Sequence, residues 1–409
     1  MNRLEDLLHD VARDDHPLPR VQASDLYAAG RRRYRRRMWV RAGAATAVVL
    51  VTTVGVAAVM RPERAGEPDR VPGSASASAS RSIDWAPASL GGTIVNVRLV
   101  DDATLYAQVS PCADDNCPQR LLASTDGGRT WQERYRGPLA EMVARGPQTL
   151  SASIWNPSTG TPDESVSTDG GKTWSPVVHS TDPVAEVPDG GWLSGGLGAG
   201  LAAGDGTTFR PLKNQPGLQL RHLAQVARTA GLWVAGTTAD GTPAIAVSHD
   251  RGRTWTVRTF ADFPHRGYLS YPRPVVSADG RTAYVTMQVS DSDAPNRPSV
   301  YRTGDGGATW TRVDTNGTLP AARPTLTPGY IAADGTHIVS LPVDGTVQVW
   351  ASRDNGTSYT RYPDRPGLPA DLPVSDGMLA LDGKGYVTGD GQGIYRSTDG
   401  LSWTRIATA

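Results

Sequence analysis

Beyond residue 82 the chain alternates apolar and polar positions in short runs, and Gly, Pro or Asp-Gly breaks each run. Alternation with period two marks strands with one face buried, and an Asp-Gly pair between two such runs marks a tight hairpin. One stretch reads "GYIAADG", "HIVSLPVDG", "VQVWAS", "YTRYP", and the last reads "GMLALDG", "GYVTGD", "IYRS", "WTRIAT". Near the start the same order appears as "TIVNVRLV", "TLYAQVS", "RLLAST", "WQERYRG". Each is a strand, a turn, two further strands and a closing strand, so the region predicts an all-β fold.

The first 82 residues follow other patterns. Leu4, Leu7, Leu8 and Val11 fall on one helical face, and an arginine cluster occupies Arg31 to Arg37. Residues 42–60 carry no charge over nineteen positions, about the length that crosses a bilayer core as a helix. Residues 61–82 end in a Ser/Ala alternation with no apolar period. These features divide the chain into a cytoplasmic tail with a short amphipathic helix (1–38), a transmembrane helix (39–60), a disordered Pro/Ser/Ala linker (61–82) and a β domain (83–409). The arginine cluster keeps the amino terminus inside, which places the β domain outside a cell membrane on a single-pass anchor. A cleaved export signal, with small residues at Gly55-Val56-Ala57, is the rival reading, and it exports the same domain.

Within the β domain one phrase recurs: "STDGGRTW" at 124–131, "STDGGKTW" at 167–174, "SHDRGRTW" at 248–255, "TGDGGATW" at 303–310 and "SRDNGTSY" at 352–359. Shortened forms stand at "GDGTTF", 204–209, and "STDGLSW", 397–403. The pairs are Asp126 with Trp131, Asp169 with Trp174, Asp205 with Phe209, Asp250 with Trp255, Asp305 with Trp310, Asp354 with Tyr359 and Asp399 with Trp403. Successive aspartates are 43, 36, 45, 55, 49 and 45 residues apart, a spacing that predicts propeller blades of four antiparallel strands. Each box is expected to be the turn between a blade's third and fourth strands. Its Asp would accept backbone N–H bonds, its Gly would take positive φ, and its aromatic would enter the apolar layer between sheets.

These boxes resemble the Asp-box, or BNR, repeats of the sialidase superfamily and of sortilin-type ectodomains, over about residues 85–409. The resemblance implies a propeller, here seven-bladed where sialidases typically have six. It also sets a test for activity, since a sialidase holds its substrate with three arginines, attacks with a Tyr paired to a Glu, and takes one arginine from an Arg-Ile-Pro segment. No Arg-Ile-Pro occurs in this chain. The β domain has only four glutamates, at 133, 141, 164 and 186. Arg98, Arg145, Arg221, Arg273, Arg323 and Tyr271 lie on inner strands or the loops feeding them, with Glu141 and Glu186 in comparable places. They are the candidates for binding a ligand in the central funnel, and no residue is assigned a catalytic role.

The remaining composition narrows the function classes. The β domain carries five more acids than bases, the wrong sign for nucleic acid. Cys112 and Cys117, the only cysteines, predict a local disulfide in an exported loop. The seven histidines show no ligand spacing, so neither a metal nor a cofactor is expected. "GGLGAGLAAG" at 195–204 lacks the Gly-Lys-Ser/Thr of a phosphate loop and reads as backbone of a thin blade. The expectation is a membrane-anchored extracytoplasmic propeller that binds a protein or a glycan. A sialidase-like hydrolase and a sensor signalling to a cytoplasmic regulator are the alternatives.

Overall fold

The structure is a computed structural model that describes residues 88–112, 117–156, 158–195, 200–263, 272–289, 295–323, 329–370, 372 and 378–409. The expected tail, transmembrane helix and linker, as well as Tyr271, lie outside the described residues. Among the described residues no helix is long and apolar enough to cross a membrane.

The chain from Ser82 to Ala409 is one compact unit. In chain order, β1 (Ala88–Ser89) precedes a first blade of β2 (Thr93–Leu99), β3 (Leu105–Ser110), β4 (Gln119–Ser124) and β5 (Gln132–Gly137). The second blade has β6 (Leu139–Ala144), β7 (Leu150–Asn156), β8 (Thr161–Ser167) and β9 (Ser175–Pro176). The third gathers β10 (Val178–His179), β11 (Trp192–Gly195), β12 (Leu201–Asp205) and β13 (Thr208–Pro211). Blades four and five are β14 (Gln219–Leu223), β15 (Leu232–Thr237), β16 (Pro243–Ser248), β17 (Thr256–Thr259) and β18 (Pro274–Val276), β19 (Ala283–Met287), β20 (Ser299–Thr303), β21 (Thr311–Val313). The sixth holds β22 (Gly329–Ile331), β23 (His337–Val343), β24 (Thr346–Ser352) and β25 (Thr360–Arg361), and the seventh β26 (Tyr386–Gly389), β27 (Gly393–Ser397) and β28 (Thr404–Thr408). Seven four-stranded sheets therefore form a seven-bladed propeller.

Seven apolar clusters fill the spaces between successive blades, and each box aromatic enters a different one. Trp233 and Trp310 meet edge-on at 6.3 Å between blades four and five, while Tyr330 and Trp403 do so at 6.3 Å between blades six and seven. The boxes explain how an aromatic is delivered each time. In the first, the Ser124 hydroxyl donates to Asp126 Oδ1 and accepts from Gly128 N, both at 2.8 Å. Asp126 then accepts from Thr130 N at 2.9 Å and from its hydroxyl at 2.6 Å. Gly128 has φ +94°, and a Cβ there would lie 2.7 Å from Ile406 of the seventh blade, so glycine is required for two reasons. The same bonds recur at Asp169, Asp250, Asp305 and Asp354. The short seventh box closes instead with backbone N–H groups of Leu401 and Ser402 on Asp399.

Two details correct the sequence reading, and a third completes the ring. The third box is a plain two-residue hairpin at Gly206–Thr207, between the second and third antiparallel strands of its blade. Asp205 makes none of the box bonds, because the missing residue removes the loop it would tie; Phe209 is still buried, edge-on to Trp192 at 6.0 Å. The third blade also departs from the antiparallel pattern, since β10 pairs parallel to β13 on the outer edge. The ring closes with a strand from its amino-terminal side. Strand β1 pairs parallel with β28, Ala88 opposite Ala407 and Ser89 opposite Thr408, while the innermost position of that blade is a single bridge from Leu379 to Tyr386.

Candidate functional site

Passing from one blade to the next, the chain normally drops from an outer strand to the next inner one, as in β5 to β6 and β17 to β18. After β9 it does not. It runs along the outer edge as β10, with Val184 bridging Leu212 in parallel, and only then forms the four-residue β11 as the innermost strand. The inner part of the third blade is therefore thin, and among the described residues the cluster between blades two and three contains only Val166, Trp192 and Phe209 as fully buried members.

A cavity of about 170 Å³ occupies the space, reaching from Glu141, Arg145 and Glu164 of the second blade past Ser194 and Gly195 to Leu223 on the inner strand of the fourth. The wall it exposes is unusual for an inter-blade face. Leu150, Ala152 and Ile154 of β7 pack toward the first blade, so the alternating Ser151 and Ser153 face the cleft, and Trp155 follows on the same face of the strand, beyond the residues that line it. The register aligns Glu141, Ser153 and Glu164 across three strands. A β-bulge between Leu139 and Glu141 turns the glutamate to this side. The two carboxylates stand two strands apart, about 10 Å between backbones.

Arg145 closes the end nearer the boxes, its Nε donating to Ser151 Oγ at 3.0 Å. Burial, reinforced by the neighbouring Arg98 guanidinium, pulls its pKa down to about 10, and Glu141 and Glu164 oppose that shift. At the outer edge His179 Nε2 lies 3.7 Å from Glu164 Oε2. The arrangement offers carboxylate acceptors, hydroxyls that both donate and accept, and guanidinium donors within one polar cleft, which suits a ligand rich in hydroxyl groups.

Of the predicted funnel residues, the structure brings Arg98 and Arg145 together. Arg273 stands near His222, whose pKa is lowered to about 4 by burial and then by that arginine. Arg221 and Arg323 are exposed and do not line the cleft. Two of the four glutamates are engaged elsewhere: Glu133 pairs with Arg120 and Arg136, and Glu186 pairs with Arg251 at 2.8 Å and Arg253 at 2.7 Å beside the fourth box. Glu164 and Trp155 were missed by the sequence reading. Their signal was the polar run "TPDES" at 161–165, where other third strands are apolar, together with the shortest box interval, 36 residues, just after it. Cys112 and Cys117 are joined as expected, with Cα atoms 6.0 Å apart. Among the described residues no His, Cys, Asp and Glu group is placed to hold a metal ion.

The BNR/Asp-box repeat family matches residues 165–176, the second box and its flanks. The chain is similar to a xyloglucanase of Paenibacillus sp, 29% identical over 191 residues, which covers 39% of this chain and 18% of that enzyme. Among solved structures it is similar to a GH74 enzyme of Niastella koreensis at 17% identity and TM-score 0.36, covering 77% of this chain and 65% of that one. It is also similar to a puromycin-hydrolyzing peptidase of Mycobacterium tuberculosis at 15% identity and TM-score 0.46, covering 78% and 56%. The seven-bladed fold itself rests on the strand pairing described above.

Proposed function

We propose that this propeller is a glycan-binding module and that the cleft over the third blade is its site. The row of Glu141, Ser153 and Glu164 carries the reading. A carboxylate accepts hydrogen bonds from two adjacent hydroxyls of a sugar, and serine completes the pattern from either side. The partial similarity to a xyloglucanase points to the same ligand class. We further propose that residues 39–60 anchor the module in a membrane with the propeller outside. Protease added to intact cells should digest the propeller and leave the first 38 residues protected; a protected propeller would contradict that placement.

The test of binding is calorimetry on the full chain in detergent with a xyloglucan oligosaccharide. Glu141→Gln and Glu164→Gln should each weaken binding about tenfold, the scale of one charge-assisted hydrogen bond. Unchanged affinity in both would refute the site. A hydrolytic second reading draws on the carboxylate spacing. The backbones of the two glutamates stand about 10 Å apart, close to the roughly 6.5–9.5 Å between the carboxyl groups of inverting glycosidases. Release of reducing ends, abolished by either substitution, would establish it.

A further inference from the structure

Trp155 is the one exposed tryptophan among the described residues, at 45% relative exposure. Every other described tryptophan is buried or half-buried between blades. Its place is specific. It lies two residues along β7 from Ser153, about 7 Å further along the strand, on the face that carries the Glu141–Ser153–Glu164 row. It stands opposite Pro162, next to the turn into β8, and therefore beyond the lining of the cleft, on the side away from the box and from Arg145.

An indole left in water beside a row of hydrogen-bonding groups costs hydration free energy with no packing return. A protein interface is a poor explanation, because the other large exposed apolar side chains among the described residues are only Val178, Val257 and Val347, and the apolar surface beside Trp155 is confined to its strand neighbours Pro162 and Pro138 before the carboxylate and serine row begins. That patch is far from the contiguous apolar area such interfaces use. A pyranose ring fits both halves of the surface. Its hydroxyl edge matches carboxylates and serines, and the C–H face of a ring with equatorial hydroxyls is apolar and flat enough to lie on an indole.

We infer that Trp155 is a stacking platform, and that the site takes an oligosaccharide of equatorially substituted sugars rather than a single sugar. The chain enters from the end opposite the boxes, with one ring on the carboxylate row and its neighbour on the indole. This rests on the glycan-binding reading and adds the ligand's length and ring geometry to it.

The experiment compares cellotetraose with glucose on the full chain in detergent, using wild type, Trp155→Ala, Trp155→Phe, Glu141→Gln and Val347→Ala. Wild type should prefer the tetrasaccharide by tenfold or more. Trp155→Ala should lose most of that preference with an unchanged melting temperature, Trp155→Phe should recover part of it, and Val347→Ala should behave as wild type. Should Glu141→Gln lose binding while Trp155→Ala keeps the full preference, the platform is wrong and the site stands. Should neither sugar bind wild type, or Glu141→Gln leave binding intact, the underlying reading fails and the platform with it.

Discussion

At the scale of residues, the box aspartates serve their own turns. Hydrogen bonds from Thr173 hold the Asp169 carboxyl down at about 2, and those from Thr254 and Thr309 do the same for Asp250 and Asp305. Their unfolded value is 3.8, so the stability they contribute is complete above that pH and disappears as pH falls from about 4 through 2. Asp169→Ala should lower unfolding stability by about 1–3 kcal/mol, whereas Asp205→Ala, in the box that lacks those bonds, should change it by less than about 0.5 kcal/mol. Denaturant titration of the two variants checks the contrast. His337 acts earlier in the acid range. Stacked on Tyr284 at 4.0 Å and bonded to the Tyr359 hydroxyl at 2.8 Å, it is fully buried, and burial lowers its pKa to about 3. A neutral buried imidazole loses stability as pH falls below its unfolded value of 6.5. His337→Gln should therefore flatten the dependence of melting temperature on pH between about 6.5 and 4, and an unchanged slope would remove His337 from the account.

At the scale of elements, the strands and boxes were legible because period-two alternation and Asp-Gly turns are local signals, and the sixth unit's four strands fall where its sequence places them. What escaped was pairing between distant segments. Nothing local tells β10 to run parallel beside β13, or the two residues of β1 to join β28 some 320 positions away. Those choices depend on which edge is free once the rest of the ring has formed. Glu141 was noticed as an inner-strand residue, yet its alignment with Glu164 depends on the bulge between Leu139 and Glu141, which the sequence does not announce. Just after β1, Leu90 N donates to Thr408 O at 2.9 Å and continues the seal between the first and last blades. Replacing both Ala88 and Ser89 with proline obstructs the parallel pairing of that edge and should lower the melting temperature by several degrees, with the strands of the second blade unaffected in hydrogen exchange. Loss of protection throughout the ring would show that closure governs the whole fold.

At the scale of the molecule, seven blades packed through seven aromatic-bearing clusters would make a closed and inert ring. One blade breaks the pattern: its entering strand goes to the outer edge, its box shrinks to a hairpin, and a polar cleft opens beside it. Structural regularity and candidate function are thus separated, with the boxes maintaining the ring and the exception providing the proposed site. Hydrogen–deuterium exchange of the full chain, with and without saturating xyloglucan oligosaccharide, addresses that separation most directly. The account predicts added protection in β6, β7, β8 and β11 and none in the seven boxes. Protection confined to the boxes, or to blades four to seven, would contradict it.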